Sequence, residues 1–390
     1  MGELSVTSLS LSLLMYYFYF MKALQTILSL AFVLFFLTAD AQRREPLDVT
    51  IDWEDYDPPS TLIVQETPTP SAKFKFIDIH SHHWRMATMD LDLLIRQMDT
   101  MNMGIVVNLS GRGGERLKAM TDKVNASPYK NRIATFTNIE LRSIDAPDWG
   151  VETLKQMDFD LKNGAVGLKI YKSQGMSNQD SSGQRIRIND ERIDPIWAKC
   201  GEYGWPILIH SADPPSFWEP HDSLNERWLE LKLRPGRKRG PDSPAPFETI
   251  LGEMHNIVEK HPGTNFIAAH MSWYANDLKR LGLLLERYPN LYVEIGAVIA
   301  ELGRQPRAAK KFLTKYQDRV LFGKDSYKPE EFPTYFRVLE SDDEYFPYYK
   351  RYHAFWKMYG LDLSDEVLKK IYYKNALKLL PSLDKSLFED

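Results

Sequence analysis

Cysteine is almost missing from this chain. Cys200 stands alone among 390 residues. One thiol excludes an internal disulfide framework and a cysteine-based zinc cluster. An excess of charge of one sign is missing too. Lys and Arg number 49 against 53 Asp and Glu, a net charge of -4. That balance argues against a nucleic acid or an acidic membrane surface as partner. No Gly-rich phosphate loop follows the first strand-like run, FIDIHSHHWR (76–85), and GRGGER (111–116) lacks the GxGxxG spacing of a dinucleotide site. Histidine is scarce, nine in all, yet three fall within FIDIHSHH (76–83).

What is present suits a folded protein. The composition is 43% hydrophobic and 26% charged, enough to bury a large core. The first 41 residues read differently from the rest. In MKALQTILSLAFVLFFLTADAQ (21–42), Lys22 supplies a basic start, Ile27 to Leu37 an apolar stretch, and Ala39-Asp40-Ala41 a small-residue cleavage pattern. The expectation is a signal peptide cut after Ala41, with Met21 as the true start and residues 1–20 a mis-called upstream extension. An uncleaved anchor helix is the alternative, since residues 8–38 hold enough apolar surface for one. Cleavage would leave no stable membrane anchor, and the expected location is the bacterial periplasm or the medium, where a lone cysteine is tolerated. Residues 42–72 carry Pro46, Pro58, Pro59, Pro68 and Pro70 and read as an extended tail.

From residue 73 to 390 the pattern is one domain. Short β-branched runs recur at 73–80, 104–110, 133–140, 165–171, 206–211, 265–270, 291–296 and 319–325. Amphipathic stretches such as 90–101, 190–204, 247–261 and 308–317 lie between them, and 365–380 reads as a closing helix. Strict β–α alternation implies a parallel sheet. Eight such units predict a (β/α)8 barrel, with a doubly wound open sheet as the competing fold. Residues 212–246, after the fifth strand, are too many for a simple connection and predict a long loop insertion on the active-site rim.

Alternation along a strand places Asp78, His80 and His82 on one face. An HxH pair alone is weak evidence. The fifth strand ends in His210, however, the sixth in His270 and the eighth in Asp325. Imidazoles and a carboxylate recurring at strand ends suit a metal site with an open position for water.

These motifs resemble the amidohydrolase superfamily, in its amidohydrolase-related branch. The motifs are FIDIHSH (76–82), GLKIY (167–171), ILIHS (207–211), AAHMS (268–272), LFGKDS (321–326) and YYKNALKLL (372–380). HMS stands where many members show H-x-G, and GKDS where many show G-[ST]-D. The resemblance implies that His80, His82, His210 and Asp325 bind a divalent metal, zinc first. It implies that Asp325 also takes the proton of the attacking water. His270 becomes a fourth ligand or a second-shell residue polarising the substrate. Lys169 becomes a carboxylated lysine bridging two metals, or a substrate-binding residue; the branch is largely mononuclear, which favours one metal. Asp78 could orient a ligand imidazole or plug the barrel interior.

Other residues read more plainly. His83, Tyr171 and Lys172 are solvated rim residues or reach the substrate. His221, Trp218 and Trp228 form a small core within the long loop or stack on a sugar ring. The basic run RPGRKR (234–239) is solvated or attracts a carboxylate. His255, His261 and His353 are packing or surface residues, and the facing of Glu294 is open. The resulting expectation is an exported hydrolase that opens a lactone, ester or amide of a small molecule, a sugar-derived lactone foremost. The alternatives are a decarboxylase of the same branch and a non-catalytic sugar- or metal-binding barrel. Dimers or larger assemblies are common in such branches, but nothing in the chain marks an interface.

Overall fold

The computed structural model describes residues 7–41, 49–240 and 244–388. It divides into two units, Met1–Pro59 and Ser60–Asp390. In the first, a single helix spans Thr7–Ala41. Its Leu13–Phe32 stretch is long and apolar enough to cross a membrane, and those side chains are exposed. A signal sequence and an anchor share that property. The expected cut after Ala41 borders residues 42–48, which lie outside the described residues.

The second unit is a barrel. Its eight parallel strands are β1 (Phe76–Ser81), β2 (Met103–Asn108), β3 (Ile133–Thr137), β4 (Ala165–Ile170), β5 (Ile207–Ile209), β6 (Phe266–Ala268), β7 (Leu291–Glu294) and β8 (Val320–Leu321), paired in that order. The circle closes between β8 and β1 through the Ile79 N–H to Phe322 carbonyl bond (3.1 Å) and the Asp325 N–H to His80 carbonyl bond (2.7 Å). Every residue of β1, β2, β3 and β7 is buried. Helices cover one face of the sheet and barrel side chains fill the other, which is why the strands read as continuous apolar runs.

The helices follow from their periodicity. In Leu278–Arg287 the residues Leu278, Leu281 and Leu285 are buried, one stripe of a helix capped by the Asp277 carboxylate. The closing segment departs from a uniform helix. Asp365–Lys369 passes through a π-helical turn, Lys370–Lys374, before Asn375–Leu379. That turn brings Tyr372 against Phe76, Phe322 and Phe336, while Ile371 accepts the Phe322 N–H.

Between β5 and the helix Phe247–Lys260 lie three short helices, Pro215–Phe217, Trp228–Leu233 and Pro235–Arg237. The aromatic residues here hold the segment together. Trp218 donates its indole N–H to the Ala245 carbonyl and packs on Phe247, and the His221 ring meets Trp228. Two cations of the basic run are engaged: Arg239 pairs with buried Asp213 at 2.6 Å, and Arg237 with buried Glu230.

Backbone strain gathers at one end of the barrel. Positive φ angles fall at Ala212 after β5, at His270, Met271, Ser272 and Trp273 after β6, at Ala297 after β7 and at Asp325 after β8. Left-handed non-glycine residues cost roughly 1–2 kcal/mol each and persist where the surroundings hold them, typically at functional sites.

Candidate metal centre

The C-terminal ends of β1, β5, β6 and β8 bring His80, His82, His210, His270 and Asp325 into one cluster. His80 and His82 rings stand 5.3 Å apart, His80 and His270 5.1 Å, and His210 and His270 4.3 Å. The Nε2 atoms of His80 and His82 lie 3.4 and 3.5 Å from the same Asp325 oxygen. Among the described residues, two groups have the closeness a cation needs, with ligand atoms all within 4.8 Å: His80, His82 and Asp325, and His80, His270 and Glu294.

Hydrogen bonds separate those two groups. Glu294, wholly buried, accepts from the His80 Nδ1–H at 3.0 Å, from the His270 backbone N–H at 2.6 Å and from the Gly296 N–H at 2.6 Å. Its oxygens are occupied in orienting. With Nδ1 donating, His80 Nε2 carries a lone pair; it is buried and has no hydrogen-bond partner. His82 arrives at the same state by a longer route. The Tyr171 hydroxyl donates to the Leu109 carbonyl (3.0 Å), so it accepts from Ser110 (3.2 Å), and Ser110 accepts from His82 Nδ1 (2.7 Å). His82 Nε2 is therefore the free acceptor. His270 donates from Nδ1 to the Gly296 carbonyl (2.7 Å), which leaves its Nε2 to accept from His210 Nδ1 (3.3 Å). His210 Nε2 is then a buried lone pair without a partner.

Three imidazoles thus present unprotonated Nε2 atoms, and two of them face a carboxylate. Lone pairs and a negative charge brought together in this way repel unless a cation lies among them, so the donor set fits a divalent metal. The electrostatics agree. Burial, joined by the positive charge of Lys169, pushes the His80 imidazole well below its ordinary range, and burial and His270 do the same to His210. Burial lowers His270 to about 4. All three are neutral at neutral pH.

The remaining residues singled out in the sequence fall nearby. Lys169 is buried, its Nζ has no hydrogen-bond partner, and burial brings it down to about 8. Asp78 accepts from the His80 and Lys324 backbone N–H groups at 3.0 and 3.1 Å, tying β1 to β8, and burial raises it to about 8. The carboxylate on an imidazole is Glu294, not Asp78. His83 is buried, bonded through Nε2 to Ser81 at 3.0 Å. His255, His261 and His353 lie elsewhere, against Tyr274, Asp194 and Glu230 respectively.

Three contributors escaped the sequence reading. Glu294 was legible as a lone carboxylate in LYVEIG, two residues short of a glycine, but its facing was not. Ser110 accepts directly from His82, 28 residues away, and its role as acceptor is set by Tyr171, 61 residues away. Trp84 stacks on His82 and Tyr171 at 5.7 and 5.4 Å, with the Arg112 guanidinium 4.4 Å from its ring, and is 44% exposed.

Comparison with known proteins agrees with this architecture. Among solved structures, the chain is similar to an uncharacterised TIM-barrel protein from Bordetella bronchiseptica, at 15% identity and a TM-score of 0.50, covering 79% of this chain and 99% of that one. It is also similar to a dihydroxybenzoic acid decarboxylase from a Polaromonas species, solved with manganese and the inhibitor 2-nitroresorcinol. That match has 12% identity and a TM-score of 0.51, covering 80% of this chain and 99% of that one. At such identities the likeness shows the fold. No curated protein sequence matches. The amidohydrolase family model, by contrast, matches residues 77–382, from within β1 to beyond the closing helix, and on that span the chain belongs to the amidohydrolase family.

Proposed function

We propose that the protein is a metal-dependent hydrolase cleaving a C–O or C–N bond of a small organic substrate. The observation carrying this reading is the convergence of His80 Nε2 and His82 Nε2 on Asp325, with every Nδ1 committed elsewhere. His80, His82 and Asp325 would hold the metal, with His210 completing the set. A bound divalent cation supplies water of lowered pKa and a polarised carbonyl. Asp325 is the most open member, its side chain 37% exposed, and is placed to accept the water's proton and pass it to the leaving group. Glu294 and the Ser110–Tyr171 pair hold the imidazole tautomers. His270, with both ring nitrogens engaged, orients His210 and is a positioning residue in this reading. Lys169, uncharged in part near neutral pH, is a candidate for carboxylation or for contact with the substrate.

A second reading has its own support. The stacked Trp84, His82 and Tyr171 with Arg112 make an exposed aromatic and cationic wall that suits a planar carboxylate, and hence decarboxylation. A panel of lactones, esters and amides, run beside CO2 release from aromatic and muconate-type acids, decides between them. Turnover of the panel without CO2 release is expected; CO2 release alone sinks the hydrolase. We also read the Thr7–Ala41 helix as an export signal. N-terminal sequencing of the protein recovered outside the cytoplasm should begin at Gln42, and a protein retaining its first 41 residues in the membrane would make the segment an anchor.

A further inference from the structure

The turn GRGG (111–114) follows β2 and supplies none of the cluster's histidines or carboxylates. Its backbone is strained around one side chain. Arg112 holds a left-handed φ of 61°, a conformation that glycine adopts freely and arginine does not. The flanking positions have no room for a side chain. A Cβ at Gly111 would run into the Phe136 carbonyl, and one at Gly113 into the Gln156 amide. Three hydrogen bonds fix the strained residue to the end of β3. The Arg112 N–H donates to Asn138 Oδ1 (2.9 Å), and the Arg112 carbonyl accepts from the Asn138 N–H (2.6 Å) and the Thr137 hydroxyl (3.0 Å). Asn138 is held in turn, its Nδ2 donating to the Leu109 and Lys169 carbonyls at 3.1 and 3.3 Å. Strain of this kind persists where the surroundings impose it, and here it presents a single arginine.

The side chain so presented is held but not neutralised. Its guanidinium lies over the Trp84 ring, 4.4 Å from the ring centre, and Trp84 stacks on His82 at 5.7 Å and on Tyr171 at 5.4 Å. Arg112 is exposed, and among the described residues no carboxylate pairs with it and no acceptor meets its side-chain N–H groups. The five N–H donors lie in the guanidinium plane, so an aromatic ring against the face leaves them open. A planar fork of donors matches a carboxylate, which it binds through two parallel charge-assisted hydrogen bonds. Stacking restrains the long side chain beforehand, so less rotamer freedom is lost when an anion arrives. Two ring contacts, 4.4 and 5.7 Å, lead from the guanidinium to the His82 imidazole. A carboxylate on Arg112 and a reactive group at the cluster can therefore belong to one small molecule.

We propose that Arg112 anchors a carboxylate of the substrate, with Trp84 as the platform that aims it. The inference rests on reading the cluster as the reactive centre of a hydrolase, and it adds the substrate class: a carboxylic acid whose cleaved bond lies elsewhere in the molecule. Isothermal titration calorimetry on the metal-loaded full chain tests it, with benzoate, the neutral benzamide and phenyl phosphate as probes. Benzoate is expected to bind at least tenfold more tightly than either of the others. Arg112→Gln should lower benzoate affinity at least tenfold, and Arg112→Lys, which keeps the charge without the fork, should recover part of it. Trp84→Leu keeps the guanidinium and removes its platform, so a smaller loss of about threefold is expected; it carries the test if Arg112→Gln fails to fold. Benzoate bound only to the metal would keep its affinity in these variants. The proposal is overturned by affinity undiminished in Arg112→Gln or Trp84→Leu, by no benzoate binding, or by preference for benzamide or phenyl phosphate. The two readings fail separately. Hydrolysis of a lactone, ester or amide by a protein whose benzoate affinity ignores Arg112 removes the anchor and keeps the hydrolase. Benzoate bound through Arg112 with no turnover in the hydrolytic panel does the reverse.

Discussion

Two adjoining sides of the barrel mouth are built on opposite principles. Around β1 and β8, the Nδ1 atoms of His80 and His82 are both hydrogen-bonded, and the pairing leaves their Nε2 lone pairs turned to Asp325. At the turn after β2, the Arg112 guanidinium is stacked on Trp84 with its N–H donors unpaired among the described residues. The first side is saturated so that a cation can be held in one geometry. The second is unsaturated so that an organic group can complete it. Hydrogen bonding that is complete specifies orientation; hydrogen bonding left open specifies a ligand.

The largest expected effect lies on the saturated side. Asp325→Asn keeps the shape and removes the proton acceptor, so kcat should fall about 10²- to 10⁴-fold while metal content, read by elemental analysis, falls far less. Undiminished turnover would remove Asp325 from its role. Next comes the layer behind the ligands. Glu294→Gln replaces the charged acceptor behind His80 Nδ1 with a neutral amide and turns one of its oxygens into an NH2 that faces an N–H donor, and should weaken metal affinity about 10- to 100-fold in chelator competition. Tyr171→Phe breaks only the end of the relay to His82, so its loss should be smaller; equal losses would mean that the relay matters as much as the direct carboxylate.

Acid should act on the buried imidazoles on both sides of the mouth and beyond it. His83, His255 and His270 are each lowered to about 4 by burial, and His80 and His210 further. Unfolded histidine binds a proton near pH 6.5, so between about 6.5 and 4 the unfolded state holds more protons and stability falls as pH falls. Asp78 and Glu294, raised by burial, titrate in the opposite sense and offset part of this. Denaturant midpoints should drop across that window; a flat profile would show the imidazoles to be less shielded than their burial implies.

The smallest effect concerns strain. Ser272 has φ of 57° and a buried hydroxyl without a partner. Ser272→Gly removes both penalties and should raise stability by about 1–2 kcal/mol. Destabilisation in thermal unfolding would show that the left-handed turn after β6 needs this side chain.

Much of this was legible before the coordinates. Strand runs and intervening amphipathic stretches are local signals, because burial on both faces or on one stripe imposes a pattern on neighbouring residues. The eight strands accordingly fall where the runs placed them. The placement of HxH, His210, His270 and Asp325 at the barrel mouth was legible because side chains at strand ends keep a fixed relation to the run that precedes them. Glu294 was ambiguous because strand parity alone does not say which of the two faces is the barrel interior. The tautomers, and the separation of His270 from His80, His82 and His210, depend on which carbonyl or hydroxyl lies within 3 Å, and sequence distance carries no record of that.

Composition and periodicity, then, determined the barrel and the identity of the residues at its mouth, since both are set by interactions within a strand or helix. Tertiary structure alone decided which nitrogen of each imidazole is free, that Glu294 rather than Asp78 stands behind His80, and that Asn138 holds Arg112 on its strained turn. Those outcomes require atoms tens to hundreds of residues apart to meet at hydrogen-bond distance, and only the closed ring of strands brings them there.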